Sequence, residues 1–377
     1  MTKHRIELLD GFRAIAILCV VLYHFTDRGP TIFPYGNFYR HIFGFGYFGV
    51  EFFFMISGFV ISYTLAHTEG LLSFYKNRFS RLFPPMLLCS VITFIVFFFL
   101  DNNNLSGDAH NVKNFLPSLT FTNPSIWASL TGRDFHWLNG SYWSLWPEIQ
   151  FYIISSALYF LSKKHFLRNM LVAGIVIIFI KYIPIYFLNS HAQYLQLHGG
   201  IAFFRAWRTG DEIFNITFFM GWFLPGVLFY HLYKGFRFNK QVFIGVCSLI
   251  VIFCLWRCIS LFFANSLYTM LISSIFTLAL FLLMIYRKRY LIFLESPFLT
   301  RIGVISYTIY LIHEDIGVLL INKYGKYLGD WSFLSPFIIT IMAIGFAELS
   351  YRFYEKKAAV FLKQLFSKRN SIASSAQ

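Results

Sequence analysis

Apolar runs of about twenty residues, parted by short polar or basic segments, recur along almost the whole chain. A helix rises 1.5 Å per residue, so about twenty residues cross the ~30 Å hydrocarbon layer of a bilayer. The pattern predicts ten such helices, over 8–26, 46–66, 82–100, 143–162, 169–188, 213–232, 241–261, 266–286, 302–321 and 333–354. An even number of crossings puts both chain ends on one side. With the first end inside, the inner segments hold 21 Lys and Arg, including Lys76, Lys163, Lys164, Arg287, Lys288 and Arg289, against 8 in the outer loops. Cytoplasmic loops are enriched in these residues. The expected fold is therefore all-α, a polytopic integral membrane bundle of about ten transmembrane helices with both termini cytoplasmic.

Polar residues that break the apolar runs are the candidates for chemistry, because ionisable groups inside a bilayer are costly and usually face a bundle interior or a watery cavity. The first run carries Arg13 near its start and His24 near its end. Eleven steps of a helix are about three turns and roughly 16 Å, which puts both on nearly one face, with Asp10 one turn before Arg13. Snorkelling of the two side chains to opposite interfaces is the structural alternative. Glu51 stands among phenylalanines in the second run and needs a cationic partner or water. Arg78 and Arg81, three apart, share a helix face and can grip phosphate bidentately, or simply anchor the inner end of a helix. Trp143-Ser144-Leu145 leads into a run that brings Glu148 and Gln150 inward from the outer side. Ser306-Tyr307 through Tyr310 to His313, Glu314 and Asp315 places another histidine and two acids in the ninth run. Several runs each bringing polar groups favour a shared polar cavity over isolated structural hydrogen bonds. The longest outer segment, 101–140, holds Trp127, His136 and Trp137, which suit stacking on a sugar or, more commonly, resting at the membrane interface.

Composition narrows the classes further. The chain is 57% hydrophobic and only 13% charged, which excludes an ordinary soluble domain. Its net charge of +15 comes in clusters between apolar runs, so it is read as loop bias and no nucleic-acid partner is expected. Cys19, Cys89, Cys247, Cys254 and Cys258 all fall in apolar runs without ligand-pair spacing and are read as buried small hydrophobes. No Gly-rich phosphate loop, His-Glu-x-x-His helix or Gly-x-Ser-x-Gly elbow occurs, so ATP hydrolysis, zinc proteolysis and the usual serine-hydrolase chemistry are unsupported, and no metal is expected. No cleavage site follows Phe25, so no signal peptide is expected. Residues 363–377 are basic, then Ser/Ala-rich, and are expected to form a disordered cytoplasmic tail.

Leu9-Asp10-Gly11-Phe12-Arg13 with His24 resembles the arginine–ten residues–histidine signature of membrane acyltransferase family 3, whose members O-acylate bacterial surface glycans. Gly49-Val50 to Ser57-Gly58-Phe59 is similar to its second-helix motif, with Glu51 where Asp is commoner. Arg78 and Arg81 match its Arg-x-x-Arg. Trp143-Ser144-Leu145 with Glu148, Gln150, Phe151 and Tyr152 resembles another block, in which Trp146-Pro147 and Ile149 replace the commoner Ser-Val and Glu. Ser306-Tyr307 to His313, and Ser350-Tyr351-Arg352 to Glu355, resemble the last two. The likeness covers residues 1–362 as one ten-helix acyltransferase domain. Some members add an extracytoplasmic hydrolase-like domain, which this sequence is expected to lack.

What the resemblance implies is transfer of an acetyl or other acyl group from cytoplasmic acetyl-CoA, or another acyl-CoA, to a hydroxyl of a cell-surface or lipid-linked glycan in the bacterial inner membrane. The implied catalytic residues are His24, Arg13, Glu51 and Glu148. Arg78 and Arg81 would bind the cofactor's phosphates, and Trp143, Ser144, Tyr307 and His313 the substrate. The chemistry suits these residues. A polyanionic donor needs inner-side cations, and a sugar hydroxyl needs a base near neutral pH, which histidine supplies. In this scheme His24 takes the hydroxyl proton, oriented by Glu51 or Glu148, and Arg13 binds the donor or stabilises developing negative charge. Direct transfer and an acylated intermediate both stay open. The competing class is a transporter or flippase that moves a lipid-linked saccharide unmodified.

Overall fold

The computed structural model describes residues 5–28, 30–39, 42–101, 105, 108–180, 210, 212–235, 247–248 and 267–375, and among these there is no strand. Helix α1 (Glu7–Thr26) coincides with the first apolar run. A 3₁₀ turn over Gly44–Phe48 leads into α2 (Gly49–Ala66). Next comes α3 (Leu71–Leu100), followed by two short helices, α4 (Phe115–Thr120) and α5 (Pro124–Thr131), within the long polar segment. The second half comprises α6 (Leu145–Leu161), α7 over 166–180, α8 (Ile216–Tyr233) and α9 (Leu267–Tyr286). It closes with α10 (Pro297–Tyr324), α11 (Ser335–Ser350) and α12 (Lys356–Ser375).

Among the described residues, five helical stretches are long and apolar enough to cross a membrane: Glu7–Thr26, Gly44–Ala66, Leu71–Leu100, Ile216–Tyr233 and the run Pro297–Ser367. A sixth arises if the pair Leu271–Tyr286 and Lys288–Glu295, bent by 103°, forms one span. The expected helix 241–261 lies almost wholly outside the described residues, as do 181–188, Cys254 and Cys258. Helix α3 begins at Leu71, well before the 82 that hydropathy marks, because Lys76, Arg78 and Arg81 are polar yet good helix formers. It also runs through Pro84 and Pro85, which packed membrane helices tolerate because neighbours satisfy the freed backbone groups. Helix α12 continues into 363–377, the stretch that composition marks as a tail.

Helix α1 packs chiefly on α10, and α2 on α8. Close approach of backbones is what allows the first pairing: a side-chain carbon added at Gly303 of α10 would collide with the backbone of Asp10. Small residues play this part throughout membrane bundles, where lipid offers no hydrophobic drive for helices to associate. Gly303→Ala is therefore expected to cost about 1–3 kcal/mol through overpacking, read as a lower thermal unfolding midpoint in detergent. Gly345→Ala, where an added carbon meets nothing within 4 Å, is the matched control and is expected to lose no stability.

The far side of α10 is fastened to α11. Arg301 donates through Nε and Nη2 to the two Glu348 oxygens at 2.6 and 2.8 Å, and Arg352 pairs with the same carboxylate. Between α11 and α12 a π turn over Tyr351–Glu355 lets Glu355 accept from Thr308 Oγ1 at 2.7 Å and Ser350 Oγ at 2.6 Å. The last sequence block, 350–355, thus fastens the end of α11 to α10.

Candidate active site

Five helices and one 3₁₀ turn supply the walls of a cavity of about 90 Å³, lined by Arg13, Ser57, Arg78, Arg81, Ser144, Glu148, Tyr152, Tyr307 and Tyr310 among apolar neighbours. Its volume is below the roughly 150 Å³ that takes a benzene molecule, so it suits a group of a few atoms. Three guanidinium groups face one carboxylate there, and such an excess in low-dielectric walls favours an anionic ligand. Arg13 is partly balanced by Asp10, 3.4 Å away, which also accepts from Arg5 Nε at 2.5 Å. Arg78 is buried, donates to Thr64 Oγ1 at 2.6 Å and lies over the rings of Phe74 and Tyr152 at 5.6 and 5.4 Å. Arg81, one turn on, is exposed. Glu148 Oε1 accepts from Ser57 Oγ at 2.7 Å and from the Tyr152 hydroxyl at 2.5 Å. The Tyr310 hydroxyl donates to the Ser141 carbonyl at 2.9 Å and accepts from Ser144 Oγ at 2.7 Å. The Tyr307 hydroxyl is buried and has no hydrogen-bond partner among the described residues.

A second cluster lies further along the same pair of helices. His24 Nδ1 is 2.8 Å from the Val20 carbonyl and His313 Nδ1 is 2.8 Å from the Tyr310 carbonyl. A carbonyl only accepts, so both Nδ1 atoms carry the proton. His24 Nδ1 also lies 3.3 Å from His313 Nε2, which can accept from it. This tautomer leaves the lone pair of His24 on Nε2, and that atom is 3.7 Å from Glu314 Oε2. Arg28 holds the other oxygen of Glu314. Tyr310 links the two regions: it lines the cavity and its ring centroid is 5.4 Å from that of His313, which is 4.8 Å from that of His24. The cavity ends at Tyr310, short of His24.

Arg13, Arg78, Arg81, Glu148, Ser144 and Tyr307, all singled out from sequence, meet in the cavity. His24 and His313 meet each other instead, and the carboxylate at His24 is Glu314. Glu148 is engaged with Ser57 and Tyr152 in the cavity. Glu51 stands half-buried in the first turn of α2. Trp143 is 37% exposed, with its ring 5.4 Å from that of Phe219, and takes no part in the cavity wall. Sequence reasoning marked Tyr310 and Glu314 among the polar groups of the ninth run without giving either a role, and it passed over Arg28. The available signal was an acid beside a histidine inside an apolar run.

A helical membrane bundle enclosing a cation-rich cavity, with a histidine–carboxylate cluster beyond it, is the class of protein these features define. Residues 6–352 match the acyltransferase domain of acyltransferase family 3, and the chain belongs to that family of membrane proteins. It is 26% identical over 381 residues to a Staphylococcus aureus (strain COL) protein named as an O-acetyltransferase, covering 92% of this chain and 56% of the relative. An O-acetyl transferase of Shigella phage Sf6 is 29% identical over 157 residues, 40% of this chain and 45% of the relative. An acyltransferase of Streptomyces mycarofaciens is 27% identical over 181 residues, 44% of this chain and 42% of its own. The chain spans about half the length of these relatives. No solved structure matches it.

Proposed function

We propose that the protein transfers an acetyl or other acyl group from cytoplasmic acyl-CoA to a sugar hydroxyl of a cell-surface or lipid-linked glycan, in the inner membrane of a bacterium. The observation that carries this is the pairing, along α1 and α10, of a cavity lined by three arginines with a histidine whose Nε2 is free to take a proton. Family membership supports acyl transfer, and the relatives named as O-acetyltransferases support an oxygen acceptor.

In this scheme the arginines hold the anionic donor, with its acyl thioester in the cavity. The Tyr310 side chain is the partition, and its displacement from Ser144 and Ser141 brings the thioester to the acceptor beside His24. The hydroxyl oxygen attacks the thioester carbonyl carbon while its proton passes to His24 Nε2. Glu314, whose Oε2 is 3.7 Å from that same nitrogen, stabilises the imidazolium so formed by its charge, while the Val20 carbonyl holds Nδ1. The tetrahedral oxyanion is met by the Tyr307 hydroxyl and Arg13. Collapse breaks the C–S bond, and the leaving thiolate recovers the proton from His24. Glu148, bonded to Ser57 and Tyr152, sets the position of the cavity wall around Arg13 and Arg78.

The test is the purified full chain with radiolabelled acetyl-CoA and lipid-linked glycan. Label in the glycan is the expected result. Glycan carried across a vesicle membrane without label would overturn the proposal in favour of a transporter. For the donor site, Arg81→Ala is expected to raise the KM for acetyl-CoA roughly 10–100-fold with little change in kcat. Hydrogen bonds to a charged group contribute about 1.5–3 kcal/mol, and each 1.4 kcal/mol is tenfold in affinity. Arg78→Ala is expected to lower the unfolding midpoint as well, because Arg78 is bonded to Thr64 and packed on two rings.

A further inference from the structure

The geometry points to a divalent-metal site of the Zn²⁺ class formed by His24, His313 and Glu314. A nitrogen of each histidine and a carboxylate oxygen lie within 4.8 Å of one another, so a modest contraction brings three ligands around one ion. Two imidazoles and one carboxylate, with a fourth position open, is a ligand set that zinc takes in tetrahedral sites.

The surroundings are those of a ligand cluster rather than of stray polar groups. Each imidazole gives its Nδ1 proton to a main-chain carbonyl at 2.8 Å, the outer contact that fixes the tautomer and orientation of a ligating histidine. The lone pair of His24 Nε2 faces Glu314 Oε2 at 3.7 Å, and that oxygen is buried with no hydrogen-bond partner among the described residues, while His313 Nε2 lies 3.3 Å from the other nitrogen of His24. Arg28 occupies the other oxygen of Glu314 and turns Oε2 towards the histidines. His313 and Glu314 are 1% and 5% exposed, so the cluster is shut off from bulk solvent. A cation there, whether a proton or a metal ion, relieves the repulsion between the His24 Nε2 lone pair and the Glu314 oxygen. The absence of paired-ligand spacing in the sequence does not bear on this set, because its members come from α1 and α10 and share no local motif.

Binding itself is independent of acyl transfer. A consequence for turnover rests on the proposed base: zinc and the acceptor's proton claim the same lone pair of His24, so loading silences transfer and chelation restores it.

The experiment titrates Zn²⁺ into the full chain, purified in detergent with a tag free of histidine, against a chromophoric chelator. X-ray absorption at the zinc edge and the thermal unfolding midpoint are the second and third readouts. The expected result is one strongly held equivalent, a first shell containing two imidazoles at about 2.0–2.1 Å, and a midpoint raised by zinc. Glu314→Gln and His313→Ala, each checked for unchanged folding without metal, are expected to weaken that equivalent at least about 100-fold, the upper end of what losing even an outer partner costs. Glu314→Gln keeps the side chain's shape, so it stays informative if His313→Ala does not fold. No strongly held equivalent, or one of unchanged affinity in Glu314→Gln, overturns the site. Zinc held at the cluster while transfer runs at full rate upholds the site and overturns His24 as the base.

Discussion

Replacing His24 by alanine is expected to lower acyl transfer about 10²–10⁴-fold, the range a positioned general base supplies. Affinity for acetyl-CoA is expected to stay within twofold of the parent's, because the cavity where the donor would lie ends at Tyr310 and His24 is behind it. The two measurements together separate a base from a packing residue. A residue that merely supports α1 against α10 would, when truncated, loosen the cavity and weaken donor binding in step with the rate. His24 is half-buried against His313 and Glu314, so the alanine variant needs its unfolding midpoint measured beside its rate. Partial recovery of the rate with added imidazole, at a fixed acetyl-CoA concentration, would mark the lost group as a proton acceptor. Glycan labelling that persists at the parental rate would remove the assignment.

How much of this site could be read before the structure follows from which contacts are local. Arg13 and His24 lie eleven apart on one helix, and helical geometry alone aligns them. Arg78 and Arg81 share a face for the same reason, and both reach the cavity. A charged residue in an apolar run announces itself, so Glu148 was also visible. Which carboxylate meets His24 was not, because Glu51, Glu148, Glu314 and Asp315 come from three different runs and the choice is made where α1 crosses α10. That crossing depends on Gly303 letting the helices touch at Asp10, a fact with no local signature. The sequence equally could not show that Arg78 is occupied by Thr64 and two rings while Arg81 is not. Helix ends were misplaced for a related reason: hydropathy reports where lipid lies, whereas α3 extends past it through Arg78 and Lys76 as far as Leu71. The Ser350–Glu355 block reads as one more polar motif in sequence, and only the pairing of Glu348 with Arg301 and of Glu355 with Thr308 reveals it as a fastening.

Tyr307→Phe removes one oxygen atom and is expected to lower kcat about 10²–10³-fold, the usual cost of losing a donor to a developing oxyanion. The KM for acetyl-CoA is expected to change little, since a neutral thioester carbonyl gains far less from the hydrogen bond than the tetrahedral oxyanion does. Two features of the structure single this hydroxyl out. It is buried at the cavity wall, and it has no partner there, whereas the neighbouring tyrosine hydroxyls at Tyr152 and Tyr310 are engaged by Glu148 and by Ser141 and Ser144. A buried polar group without a partner carries a desolvation cost of about 1–3 kcal/mol, so its removal from a purely structural site should leave the protein as stable or make it more so. Tyr307→Phe is accordingly expected to hold or raise the thermal unfolding midpoint while the rate collapses. A variant that turns over normally and is more stable would show the hydroxyl to be idle, and Arg13 would then be the remaining cavity group to meet the oxyanion.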